Sequence, residues 1–178
     1  MSCDLLPTDI PGPHYQGDVR DVIGDGWDLM VAHPPCTYLT IAGLFRNQNN
    51  PQRQAQTEEA LDFVRLLMAA PIAKIAIENP VSCISSRIRK PDQIIQPYQF
   101  GEDASKRTCF WLKDLPPLTV DPSARFGGRW VEHNGKLVER WSNQTDSGQN
   151  RLSQSADRWK KRSLTYQGVA DAMAMKWG

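Results

Sequence analysis

Two side chains of this sequence stand where covalent chemistry could be done. Cys36 ends the segment His33-Pro34-Pro35-Cys36, which follows the apolar run Trp27-Asp28-Leu29-Met30-Val31-Ala32. Glu78 opens Glu78-Asn79-Pro80, which follows Lys74-Ile75-Ala76-Ile77. Each run has the length and apolar character of a short buried strand, so each delivers one reactive side chain at its C-terminal end. In open α/β sheets that edge is where ligands bind. A thiol and a carboxyl presented side by side suit attack on a pyrimidine: the thiolate adds to ring carbon 6 while the protonated carboxyl donates to ring nitrogen 3. An acid at the end of an apolar strand is short of water, which favours the protonated form this role needs. The plainer readings of the same residues are a small buried hydrophobe and a helix-capping acid.

The elements that must position these groups follow from spacing. Gly17-Asp18-Val19 reads as a brief strand and Gly24-Asp25-Gly26 as a turn. Residues 27–33 form the strand leading to Cys36. Residues 46–56 are rich in Asn and Gln and read as a loop. Thr57-Glu58-Glu59 has the form of an N-cap and first turn, and Ala60, Leu61, Val64, Leu67 and Met68 then keep helical spacing until Pro71. Strand, helix, strand in this order predicts a βαβ unit with parallel strands. Residues 81–105 read as irregular, and Cys109-Phe110-Trp111-Leu112 as a further strand. Residues 119–162 have few aliphatics and read as irregular, while Tyr166 to Trp177 has a helical pattern through Val169, Ala172, Met173 and Met175.

The 178 residues, 40% of them apolar and 23% charged, suit one α/β domain spanning 1–178. A net charge of +1 gives no global pull toward nucleic acid, so any basic surface must be local. No run approaches the roughly 20 apolar residues of a membrane span, and the N-terminus has no signal-peptide pattern. The expectation is a soluble protein of a reducing cytoplasm, with no membrane partner. Cys3, Cys36, Cys83 and Cys109 show no CxxC spacing, so no metal site is expected.

Gly17-Asp18-Val19, His33-Pro34-Pro35-Cys36, Glu78-Asn79 and Ser105-Lys106-Arg107 stand in the order and spacing of the DNA cytosine-5 methyltransferases. With the closing stretch Arg162 to Ala170, the chain most resembles the short methylase-like proteins of bacteriophages and prophages, over nearly its whole length. The resemblance implies a Rossmann-like, S-adenosylmethionine-dependent methyltransferase sheet acting on DNA in a bacterial host cell. Cys36 matches the nucleophile, which adds to a cytosine flipped from the duplex, and Glu78 the base-binding acid. Asp4 matches the ribose-binding acid and Asp18 the acid at the adenine amino group, with Val19 and Pro34 beside the cofactor. By composition alone both acids read as turn residues. Pro35, Asn79 and Lys106 fall at substrate-binding positions, although Pro80 replaces the usual valine. Arg107 matches the first of two arginines at the target base; Cys109 stands in place of the second, so Lys106 or Arg107 must substitute. Thr37, Tyr38 and Thr40 replace a glutamine and a serine. The stretch Arg46 to Arg53 falls where a mobile lid closes.

Residues 119–162 occupy the place of the DNA-reading region, as a short irregular insertion. There Arg125, Arg129, Arg140, Arg151, Arg158, Lys160, Lys161 and Arg162 would grip phosphates, with Trp130, Trp141 and Trp159 interleaved to stack on bases. So short a reader implies a short recognition sequence or weak selectivity. The resemblance also implies a first strand and glycine-containing cofactor loop ahead of Met1, making this an N-terminally truncated sheet. Three explanations follow: the true start lies upstream of Met1, another strand, a partner or a second copy fills the gap, or the chain has given up cofactor binding. The alternatives are a catalytically silent DNA- or protein-binding relative, such as a phage counter-defence factor, and a pyrimidine-modifying enzyme with another donor.

Overall fold

A computed structural model describes residues 1–155 and 158–178, without the side chain of Trp159, whose expected base-stacking role lies outside the described residues. The chain is mixed α/β. It divides into two compact units, Met1–Glu78 with Cys83–Lys90 and Trp111–Leu115, and Asn79–Ser82 with Pro91–Phe110 and Pro116–Gly178.

In the first unit β1 (Ser2–Asp4) and β2 (His14–Gln16) form a small parallel pair. The strand expected at residues 17–19 is not there. Asp18 instead accepts a hydrogen bond from the Arg20 amide at 2.9 Å and caps a 3-10 turn over Val19–Asp21, so the backbone closes on itself rather than on a neighbouring strand. β3 (Leu29–Ala32) then leads to α1 (Ile41–Leu44) and α2 (Pro51–Met68). β4 (Lys74–Pro80) runs parallel to β3, as the βαβ expectation requires.

Helix α2 begins six residues before the expected cap. Asn50 accepts from the Arg53 amide at 3.0 Å, and Pro51 occupies the first turn, where its missing N–H costs nothing. Thr57, Leu61, Val64 and Leu67 form its buried stripe. They share the core of this unit with Ile75, Ala76, Ile77, Ile84 and Trp111. The short α3 (Ile84–Arg87) lies within the segment expected to be irregular.

In the second unit β5 (Gln93–Ile95) pairs antiparallel with the start of β6 (Thr108–Lys113). The four-stranded sheet has the order β3-β4-β6-β5 and is therefore mixed. β7 (Arg129–His133) and β8 (Lys136–Arg140) form a hairpin inside the segment read as irregular. α4 (Arg158–Ser163) and α5 (Gln167–Trp177) follow, with Val169 and Trp177 buried. Trp177 meets Phe110 edge-on at 5.6 Å between ring centres.

Candidate active site

The register of β3 on β4 creates the site. Pairing runs from Leu29 beside Lys74 to Ala32 beside Ile77, so the next residues, His33 and Glu78, emerge together at the C-terminal edge. His33 Nδ1 lies 3.3 Å from Glu78 Oε2. The Glu78 side chain is 9% exposed and that of His33 is 48% exposed. The contact has ion-pair distance without hydrogen-bond alignment, and Oε2 is shut off from solvent. His33 was not among the expected site residues. Its place directly before Pro34 confines it to extended backbone, but only the register brings it to Glu78.

Cys36 follows as a half-buried free thiol. Its carbonyl accepts from the amides of Leu39 and Thr40, each at 3.0 Å, so the chain turns sharply after the sulfur. Helix α2 holds that turn from one side. Arg53 donates from Nη2 to the Thr37 carbonyl at 3.1 Å, and its guanidinium stands 4.9 Å from the centre of the Tyr38 ring. The Thr57 hydroxyl lies 3.1 Å from the Tyr38 carbonyl and accepts from Asn47 Nδ2 at 3.0 Å. The segment after Glu78 returns to the same turn, where the Cys83 amide donates to the Leu39 carbonyl at 2.9 Å. Thus the stretch Arg46 to Arg53, expected as a mobile lid, includes the capped start of a helix that anchors the Cys36 turn. A cleft of about 350 Å3 beside it is lined by Asn47, Thr57, Cys83 and the Glu58–Arg87 ion pair. Burial pushes the Cys83 thiol upward from its ordinary range.

Asp4 ends β1 and Asp18 follows β2, so the parallel pairing sets both acids at one C-terminal edge. Asp4 Oδ1 accepts from the Leu6 amide and Asp18 Oδ1 from the Arg20 amide, both at 2.9 Å. Each carboxylate retains a second oxygen, and acceptors of this kind fit the hydroxyl and amino donors of an adenosyl group. Val19 opens the 3-10 turn, Pro34 is buried and Pro35 is exposed. Among the described residues no three His, Cys, Asp or Glu side chains gather as a metal site requires.

The remaining expected residues belong to the second unit. Asn79 is 1% exposed. Lys106 Nζ donates to the Leu164 carbonyl at 3.2 Å, and Arg107 is exposed. Asn143 clasps the backbone of Ser105 through both its oxygen, at 3.0 Å, and its amide, at 2.9 Å. Cys109, where the resemblance implies an arginine, is 1% exposed, and burial pushes its thiol upward.

Most of the arginines expected to grip phosphates have internal partners. Arg125 pairs with Glu139 and stands 5.3 Å from the Tyr98 ring centre. Arg129 pairs with Asp146 at 2.6 Å, Arg140 donates to the Asp146 carbonyl at 3.1 Å, and Arg158 donates to the Leu152 carbonyl. Trp141 is 7% exposed and stacks on Tyr98 at 4.0 Å, so its ring is not presented to a base. Trp130 is 62% exposed, and Arg151, Lys161 and Arg162 are exposed as well.

No helix among the described residues is long and apolar enough to cross a membrane. Compared with family models, curated proteins and solved structures, the chain matches none.

Proposed function

We propose that this chain activates cytosine in DNA for substitution at ring carbon 5, as a DNA cytosine-5 methyltransferase on a Rossmann-like sheet does. The observation that carries this reading is the parallel β3–β4 pairing, which stops just before Glu78 on one strand and leads to the braced Cys36 turn after the other. The Cys36 thiolate forms a bond to carbon 6, the carbon 5–carbon 6 π electrons move toward nitrogen 3, and Glu78 delivers its proton there. Carbon 5 is then nucleophilic. It accepts an electrophile, loses its own hydrogen as a proton, and the thiolate leaves as nitrogen 3 returns its proton to Glu78. S-adenosylmethionine, when bound, supplies an electrophilic methyl group. Asp4 would hold its ribose hydroxyls and Asp18 its adenine amino group, beside Val19 and Pro34, while Pro35 would serve the base.

The first half of this reaction can be tested without a donor. Adduct formation must exchange the carbon 5 hydrogen of cytosine with solvent, so DNA tritiated at that position should release label. Cys36→Ser should abolish release while leaving thermal unfolding unchanged. Release by the variant, or none by the wild type, removes the mechanism. Calorimetry with S-adenosylmethionine then tests the donor separately, with binding in the micromolar range expected.

A second reading is a non-catalytic DNA- or protein-binding chain, favoured by the β7–β8 hairpin. Its register places Trp130 and Leu137 diagonally on one face, and they are 62% and 68% exposed. Binding without label release would select it.

A further inference from the structure

Resting on the reading above, we propose that His33 is the positioning residue of the Glu78 carboxyl: its Nδ1–H keeps Oε2 as an acceptor, so that the acid carries its proton on Oε1, toward the base.

A carboxylic acid holds one proton on two oxygens, and only one placement serves catalysis. In Glu78, Oε2 is enclosed and lies 3.3 Å from His33 Nδ1. A proton on Oε2 would face that imidazole and be withheld from a base. A hydrogen on Nδ1 reverses this, because Oε2 then accepts and the acidic proton belongs on Oε1. The tautomer of a histidine is set by the hydrogen bonds its two nitrogens make. With Nδ1 against the carboxyl and the side chain 48% exposed, Nε2 is left as the acceptor for water.

The contact is built into the fold. Positions 33 and 78 are the next step of the β3–β4 register after Ala32 and Ile77. Pro34 restricts the backbone of His33 to the extended region, which limits the direction in which its Cα–Cβ bond leaves the chain. The present 3.3 Å separation lacks hydrogen-bond alignment, and catalytic contacts of this type commonly tighten when substrate binds.

Two measurements on the full chain test the proposal. In the tritium-release assay, His33→Asn keeps an amide donor at the place of Nδ1, and His33→Phe keeps the ring without a donor. We expect His33→Asn to stay within about threefold of wild type, and His33→Phe to lower the turnover number by about 100-fold with little change in KM, the scale of a misplaced general acid. Equal rates for His33→Phe and wild type, or equal losses in both variants, overturn the positioning role. Independently of activity, nitrogen-15 NMR should show His33 protonated at Nδ1 in the wild type and at Nε2 in Glu78→Leu. A wild-type Nδ1 without hydrogen overturns the contact itself. An inactive wild type with Nδ1 protonated overturns instead the function on which the role depends, leaving the contact standing.

Discussion

Thr57 shows how one side chain can carry the geometry of a distant turn. It is 3% exposed, and its hydroxyl stands 3.1 Å from both the Tyr38 and the Arg53 carbonyls while accepting from Asn47. Thr57→Val keeps the shape but leaves these groups without that partner. Unsatisfied buried groups cost about 1–3 kcal/mol, so urea denaturation should show a loss of that size. Thr57→Ser, which keeps the hydroxyl, should lose less. A slower tritium release in Thr57→Val than in Thr57→Ser would show that the Cys36 turn has loosened. In the sequence Thr57 resembles a helix cap, because threonine before two glutamates suits that position. Its burial in the middle of α2 depends on Tyr38, nineteen residues earlier, which no local pattern reveals.

At the scale of elements, the starts and turns were written in short signals. Asn50-Pro51 opens α2, and Asn134-Gly135 joins β7 to β8 with φ of 51° and 70°, the conformation that suits Asn-Gly in a tight hairpin. The polar composition of residues 119–162 masked the second signal, since β7 and β8 each set only two adjacent apolar residues among charged and polar ones and bury none. Gly168 marks a close approach of a different kind. A Cβ there would stand 2.1 Å from the Phe100 carbonyl oxygen, so the first turn of α5 could not keep its place. Gly168→Ala should destabilise the fold by about 1–3 kcal/mol in thermal or chemical unfolding, despite alanine's better helix propensity. The hairpin also has a pH signature. The hydrogen bond from Arg125 holds the Glu139 carboxyl below the usual carboxylate range, helped by the Gly128 amide. Its folded value being depressed, the contribution is complete above the ordinary carboxylate range and is lost as pH falls through the lowered value. Glu139→Gln should therefore flatten the acid limb of the thermal stability profile.

For the whole molecule, a net charge of +1 makes the proposed DNA binding a question of which cations are available. Arg125, Arg129 and Arg140 act within the second unit, so replacing them should reduce stability before it changes the salt dependence of binding. Lys161 and Arg162 are exposed on α4. Each phosphate contact contributes roughly 0.9 to the slope of log affinity against log salt. Replacing both by alanine should reduce that slope by about 2, measured by titration of a short duplex over a range of salt. An unchanged slope would remove α4 from the interface.

Sequence by itself determined the parallel β3–β4 unit, the placing of Cys36 after β3 and of Glu78 late in β4, and the final helix. Those features follow from apolar runs, periodicity and proline, all of which act over a few residues. Tertiary structure decided what these groups meet. The register brought His33 to Glu78, and α2 packing brought Arg53 and Thr57 to the Cys36 turn. Internal ion pairs took up arginines that composition would have offered to DNA. Such contacts join residues 14 to 45 positions apart, and their energies belong to register and burial rather than to any local pattern.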